Sequence, residues 1–184
     1  MKKTALIVLA EGFEEAEAMV PVDVLRRAEV DVTVAGVGSN LISSARGVTI
    51  QTDVILEDYN STPDALVFPG GLPGAEHLAL SKKVKDLILK MNSDGRLIAA
   101  ICASPALVLA PTGILSGKKA TCYPGLEKNF STDIEHVKDK VVQSGNIITS
   151  QGPATAFEYA FKIAENLVGK TKADMIATQM LFRR

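Results

Sequence analysis

The chain reads as a single α/β domain over residues 1–184: a mostly parallel sheet with helices on both faces. Three observations predict this. Short, wholly apolar runs at 5–9, 65–68 and 97–101 have the pattern of strands buried on both sides. They alternate with longer segments of helical periodicity, as βαβ units do. The 184 residues, 47% of them hydrophobic, are enough for one sizeable core, and no linker, repeat or low-complexity segment divides them.

The elements follow in order. The strand at 5–9 leads to a helix over 14–28, opened by Glu14, Glu15 and Glu17. A second strand covers 30–34, and 41–53 alternate enough for a β excursion or hairpin. The buried strand 65–68 stops at Pro69-Gly70-Gly71. A helix over 81–91 has lysines on its wet face, and 97–101 is a further buried strand. A helix over 104–110 carries Pro105 in its first turn, where a missing N–H costs nothing. Val141-Val142 and Ile147-Ile148 flank Gly145-Asn146, a hairpin signal. Helices over 155–168 and 172–181 close the chain. In the last, Met175, Ile176, Met180 and Leu181 recur at helical spacing, as a face covering the sheet or a dimer seam would. Ligands of such sheets bind beyond the carboxyl ends of the strands.

Composition excludes several classes of partner. With 20 basic and 21 acidic residues the net charge is −1, so no field attracts nucleic acid or anionic lipid. Two cysteines are too few for a disulfide scaffold. The apolar run near the N-terminus stops at Glu11 and carboxylates follow, against a secretory leader. No apolar stretch approaches the ~18 residues that span a bilayer. The expectation is a cytoplasmic protein with neither a nucleic-acid nor a membrane partner.

The most informative segment is Leu97-Ile98-Ala99-Ala100-Ile101-Cys102-Ala103-Ser104-Pro105. A buried strand runs into a cysteine and a helix begins within a few residues. This is the logic of a nucleophile elbow, without its Gly-x-Ser-x-Gly signature. A thiol there faces the positive end of a helix and free backbone N–H groups, which favour the reactive thiolate. The competing reading is a small hydrophobe in the core. At the preceding strand end, Gly70 and Gly71 allow close backbone approach, and the N–H groups of Gly71 and Ala103 can form an oxyanion hole; a plain tight loop is the alternative. Glu17 lies on the apolar stripe of Phe13, Val20 and Val24, where desolvation raises a carboxyl pKa. A protonated Glu17 would donate a hydrogen bond to a nearby thiolate. Pro21 cannot bond the Glu17 carbonyl, so the helix is expected to be irregular there. Asp23, Arg26, Arg27 and Arg46 suggest a polar cluster near the site or a dimer surface, and arginines suit an anionic substrate group. Thr155 and Glu158 read as structural.

These segments together resemble the ThiJ/PfpI superfamily, specifically the Parkinsonism-associated deglycase subgroup. The matching residues are Ala5 to Leu9 with Gly12-Phe13-Glu14-Glu15-x-Glu17, Pro21-Val22-Asp23-Val24-Leu25-Arg26-Arg27-Ala28, Val32-Thr33-Val34-Ala35-Gly36, Pro69-Gly70-Gly71-x-x-Gly74-Ala75, Ala99-Ala100-Ile101-Cys102-Ala103-x-Pro105 and Thr149-Ser150-x-Gly152-Pro153-x-Thr155-x-x-Glu158. The resemblance implies a flavodoxin-like three-layer sandwich and a homodimer. It implies Cys102 as nucleophilic, oxidisable thiol, Glu17 as its acid partner, and Gly71 and Ala103 as the oxyanion donors. It implies no metal or organic cofactor. Family activities include glutathione-independent glyoxalase, deglycase of methylglyoxal-modified groups, redox-responsive chaperone and, in distant relatives, protease. The substrates implied are small reactive aldehydes or glycated groups.

One position departs from the pattern. Many members carry a histidine where this chain has Tyr123, in Thr121-Cys122-Tyr123-Pro124. This weakens protease or amidotransferase chemistry, which needs a general acid for the amine. It weakens glyoxalase chemistry less, because Glu17 can shuttle a proton alone. Cys122 is read either as a resolving thiol for Cys102 or as a packed residue. The two histidines, His77 and His136, read as surface residues, with His77 close enough in sequence to the Gly70-Gly71 loop to approach the site.

Overall fold

A computed structural model describes residues 2–183. Strand β1 (Thr4–Leu9) is followed by α1 (Glu15–Arg27), β2 (Asp31–Gly36), a small hairpin of β3 (Leu41–Ser43) and β4 (Thr49–Gln51), and β5 (Val54–Ile55). Then come β6 (Ala65–Phe68), α2 (Gly74–Leu80), α3 (Lys82–Ser93) and β7 (Leu97–Ile101). The chain continues through β8 (Lys119–Ala120), β9 (Glu135–His136), β10 (Val141–Ser144), β11 (Ile147–Ser150), α4 (Ala156–Val168) and α5 (Lys170–Gln179).

The central sheet has the order β10-β11-β7-β6-β1-β2-β5. All its neighbours are parallel except the β10–β11 pair. The middle strands β6 and β7 are buried at every residue, which is why they read as unbroken apolar runs. Helices α1, α4 and α5 pack together on one face, and α2 and α3 cover the other. The result is the three-layer flavodoxin-like sandwich expected from the sequence.

Three differences from the sequence reading have local causes. Residues 104–110 do not form an α-helix: Pro105–Leu109 make a wider turn, closed by Ala110 N–H donating to the Pro105 carbonyl, and a short 3-10 turn follows. Pro105 and Pro111 bracket the segment, and neither has an N–H to propagate a regular ladder. Helix α1 runs unbroken through Pro21, because packing of its apolar face on the sheet and on α4 outweighs one lost hydrogen bond. The last helix starts two residues earlier than expected. In it Ile176 is buried, whereas Met175 is half-exposed and Leu181 lies outside the helix and is exposed. Among the described residues no helix is long and apolar enough to cross a membrane.

Candidate active site

Strand β7 delivers Cys102 at the carboxyl edge of the sheet in a left-handed conformation, with φ of 65°. A non-glycine residue pays on the order of 1–3 kcal/mol for that region. Hydrogen bonds on both sides hold it: the Cys102 N–H donates to the Ser150 carbonyl at 2.9 Å, and the Cys102 carbonyl accepts from Tyr123 N–H at 2.8 Å. The fully buried Ser104 hydroxyl donates to the Pro69 carbonyl at 2.5 Å, tying this turn to the end of β6. Strand β7 thus ends on a thiol at a left-handed turn, while the helix expected after it is replaced by the wider turn Pro105–Leu109.

Two backbone N–H groups, of Gly71 and Ala103, are directed at the Cys102 sulfur. Gly71 reaches this position with φ of 88°, and a Cβ there would lie 2.5 Å from both Glu14 N and Gly12 O. Glu17 enters from α1 and is 0% exposed. Its Oε2 accepts from Gly70 N–H at 2.7 Å and the carboxyl faces the thiol, while Oε1 has no hydrogen-bond partner among the described residues. Gly70 is the spacer that lets acid and thiol meet. A Cβ on it would sit 2.7 Å from Cys102 Cβ and 2.9 Å from Glu17 Oε2.

Burial pushes the Glu17 carboxyl from 4.5 up to about 7, against the Gly70 hydrogen bond. For Cys102 the outcome differs from the sequence expectation of a thiolate favoured by a helix end. Burial, then the charge and hydrogen bond of an ionised Glu17, push the thiol up, and the N–H groups of Gly71 and Ala103 offset only part of this. The causes are linked, because both upward contributions of Glu17 vanish when Glu17 is protonated. The pair therefore holds one negative charge at a time.

The thiol lies 8% exposed at the base of a cleft of about 380 Å³. Glu14, Arg46, Leu72, Tyr123, Leu126 and Pro153 contribute to its walls, besides Cys102, Gly71 and Ala103. A larger hollow of about 790 Å³ lies along α5 and the C-terminal residues, but no cysteine is among the described residues that line it, so size alone does not mark the site.

Of the other residues singled out in the sequence, Tyr123 and Arg46 line the cleft, with the Arg46 backbone N–H held at 3.0 Å by Glu15 Oε1. Gly70 is buried beneath the thiol rather than in the cleft wall. Cys122 is also outside that wall, where its thiol is grouped with Glu127 and His136. Burial and the Glu127 charge push the Cys122 thiol up to about 12. Neither histidine lines the cleft: a His77 ring nitrogen lies 2.8 Å from the Glu11 carbonyl, and His136 is in β9. The remaining members of the expected arginine cluster are tied up elsewhere, Arg27 with Asp23 at 2.9 Å and Arg26 with Asp53 at 3.4 Å. Thr155 caps the turn after β11 through Gly152 and Ser150, and Glu158 pairs with Lys140 at 3.1 Å.

One neighbour of the pair escaped the sequence reading. Tyr159 in α4 is fully buried, its hydroxyl has no hydrogen-bond partner among the described residues, and burial together with the Glu17 charge holds that hydroxyl well above the usual tyrosine range. Its position among apolar residues of a helix gave no signal of this.

The fold and the elbow thus define a flavodoxin-like protein with a carboxyl-paired cysteine at the carboxyl edge of the sheet. The model of the DJ-1/PfpI family matches residues 3–166, and the chain belongs to that family. It is 46% identical over 184 residues to Protein dj-1beta of Drosophila melanogaster, covering 98% of each chain. It is 39% identical over 177 residues to a Caenorhabditis elegans protein named Glutathione-independent glyoxalase DJR-1.2, covering 95% of this chain and 94% of that one. The solved structure of Toxoplasma gondii DJ-1, oxidized, superposes with a TM-score of 0.96 at 38% identity, covering 99% of this chain and 100% of that one.

Proposed function

We propose that the chain is a cysteine-dependent enzyme acting on reactive dicarbonyls, as a glutathione-independent glyoxalase or a deglycase of methylglyoxal-modified groups, with lactate as product. One observation carries this reading: a buried carboxyl and two N–H groups converge on a single thiol at the base of a small cleft. The name of the Caenorhabditis relative supports it.

In the proposed reaction Cys102 sulfur attacks the aldehyde carbon, and the developing oxyanion takes the N–H groups of Gly71 and Ala103. Glu17 supplies the proton to that oxygen. It then carries a proton from the former aldehyde carbon to the neighbouring carbonyl carbon, while the hydroxyl proton passes from the first oxygen to the second, leaving a lactoyl thioester. Water cleaves the thioester to lactate and restores the thiol. A carboxyl titrating near 7 suits a proton carrier in both directions. No histidine is needed, which is consistent with Tyr123 in the cleft wall. The test is lactate formation from methylglyoxal without glutathione, by wild type, Cys102→Ser and Glu17→Gln. Activity in wild type that disappears in both variants is the expected result. A Cys102→Ser protein that still makes lactate would sink the proposal.

A second reading, a redox sensor or chaperone acting through Cys102 oxidation, is favoured by the same two N–H groups, which would hold sulfinate oxygens, and by the Toxoplasma relative having been solved in an oxidised form. Two equivalents of peroxide would add two oxygens, each releasing water. Mass spectrometry after mild peroxide should place both on Cys102 and none on Cys122. A cytoplasmic homodimer completes the proposal, and sedimentation of the purified chain tests the dimer.

A further inference from the structure

Cys122 sits apart from the Cys102 cleft, in company that the proposed chemistry does not use. Its sulfur, a Glu127 carboxylate oxygen and a His136 ring nitrogen all lie within 4.8 Å of one another. Cys122 is 1% exposed, and Glu127 and His136 are partly buried.

Separate pieces of chain bring these donors together. Cys122 follows β8, Glu127 opens a 3-10 turn over Glu127–Asn129, and His136 belongs to β9. The parallel β8–β9 register pairs Ala120 with His136, and Val137 N–H donates to the Ala120 carbonyl at 3.0 Å, so the ladder holds the imidazole beside the strand that leads to Cys122. Gly125 N–H donates to Glu127 Oε2 at 2.6 Å, which fixes the carboxylate and leaves it further lone pairs. The Phe130 ring lies edge-on to His136 at 6.1 Å and limits its rotation. Outer contacts of this kind orient metal ligands.

We propose that Cys122, Glu127 and His136 form a binding site for a thiophilic divalent cation of the zinc class. A thiolate disfavours magnesium and calcium, and the sulfur, nitrogen and oxygen set is the one zinc accepts, with solvent as fourth ligand. Zinc bonds of about 2.0–2.3 Å set tetrahedral donors about 3.3–3.8 Å apart, so closing the present separations takes about 1 Å of side-chain rotation. Lys138, whose charge also acts on Glu127, is the rival for the carboxylate. An ion pair with Lys138 would not need a buried thiol in the group.

The site has a consequence for the cleft. Tyr123 and Leu126 lie between two of the ligands in sequence and line the Cys102 cleft, and Tyr123 N–H holds the Cys102 carbonyl. A bound cation would brace the loop that carries them, without taking part in chemistry at Cys102.

The test uses the full-length, metal-stripped Cys102→Ser protein. The sequence has two cysteines, so any thiolate signal in that protein comes from Cys122. Cobalt(II) titration should give a near-ultraviolet thiolate-to-cobalt band that saturates at one equivalent and is displaced by zinc. Adding Cys122→Ala should abolish the band, and adding His136→Gln or Glu127→Gln should weaken binding at least tenfold. Circular dichroism confirms folding, and the two partly buried positions decide the matter if the cysteine variant does not fold. Zinc should also raise the melting temperature of wild type but not of His136→Gln. No band in the folded parent, or undiminished affinity in His136→Gln, would overturn the site.

Discussion

The chain places two thiols in its interior, and their surroundings are opposite. Cys102 is held in a strained conformation at a strand end, with two N–H groups aimed at the sulfur and a wholly buried carboxyl beside it. Cys122 sits in a loop connection near Glu127, whose own hydrogen bonds to backbone N–H groups keep it ionised at neutral pH. Burial pushes both thiols up. The difference lies in the acid: Glu17 is buried deeply enough to retain a proton near neutrality, whereas Glu127 is not. A neighbouring carboxyl activates a thiol only if it can hold the proton and leave the charge on sulfur.

The largest effect expected from this contrast is on activity. Cys102→Ser should lower lactate formation by about 10³-fold or more, since the attacking atom is lost. Cys122→Ser should stay within about threefold of wild type. Comparable losses in both would erase the distinction.

Gly70→Ala sharpens it, because the added methyl presses on Cys102 Cβ and Glu17 Oε2. A misplacement of about 1 Å at reacting groups costs about 10²-fold. Lactate assays on the folded variant should show that loss, and full activity would mean that acid and thiol need not touch.

A third effect is on stability. The folded pKa of Glu17 is raised from 4.5 to about 7, so its contribution is fully present below about 4.5 and is lost as pH rises through about 7. The pair releases one proton in that window whichever group ends with the charge. Glu17→Gln keeps the shape and drops the titration. It should therefore be more stable than wild type at pH 8, by on the order of 2–3 kcal/mol, and about equal near pH 4.5. Denaturant melts at both pH values check this, and a variant less stable at pH 8 would contradict the burial argument.

The smallest effect is at Tyr159. Its hydroxyl is buried without a hydrogen-bond partner among the described residues, so Tyr159→Phe should change stability by less than about 1 kcal/mol, or raise it. A loss above about 2 kcal/mol would reveal a hydrogen bond from that hydroxyl.

Much of this was readable in the sequence because the informative segments obey simple rules. Strands β6 and β7 lie where the unbroken apolar runs placed them, the first ended by Pro69-Gly70-Gly71 and the second by Cys102. Glu17 stood out as a carboxylate on an apolar stripe, and Cys102 as a thiol between strand and turn. Helix α2 was missed because Leu72-Pro73-Gly74 reads as loop, and β5, β8 and β9, at two residues each, are too short to show a period. The spacer role of Gly70 and the grouping of Cys122 with Glu127 and His136 depend on distances between separate elements, which no spacing encodes. The direction of the Cys102 shift was misread for the same reason: helix ends are visible in sequence, depth of burial is not.

The central claim is that Glu17 and Cys102 are one coupled pair, in which an ionised Glu17 holds the proton on sulfur and a neutral one lets it go. The Glu17 charge and hydrogen bond push the thiol up, and both contributions vanish when the carboxyl is protonated or replaced by an amide. Ultraviolet absorbance of thiolate, titrated with pH in a Cys122→Ser background, measures this directly. The expected result is thiolate that forms at lower pH in Glu17→Gln than in wild type, because the Glu17 charge and hydrogen bond that push the thiol up are gone, and that Cys102→Ser removes. Thiolate that forms at the same pH in wild type and Glu17→Gln would mean that the carboxyl does not control the thiol, and would contradict the claim.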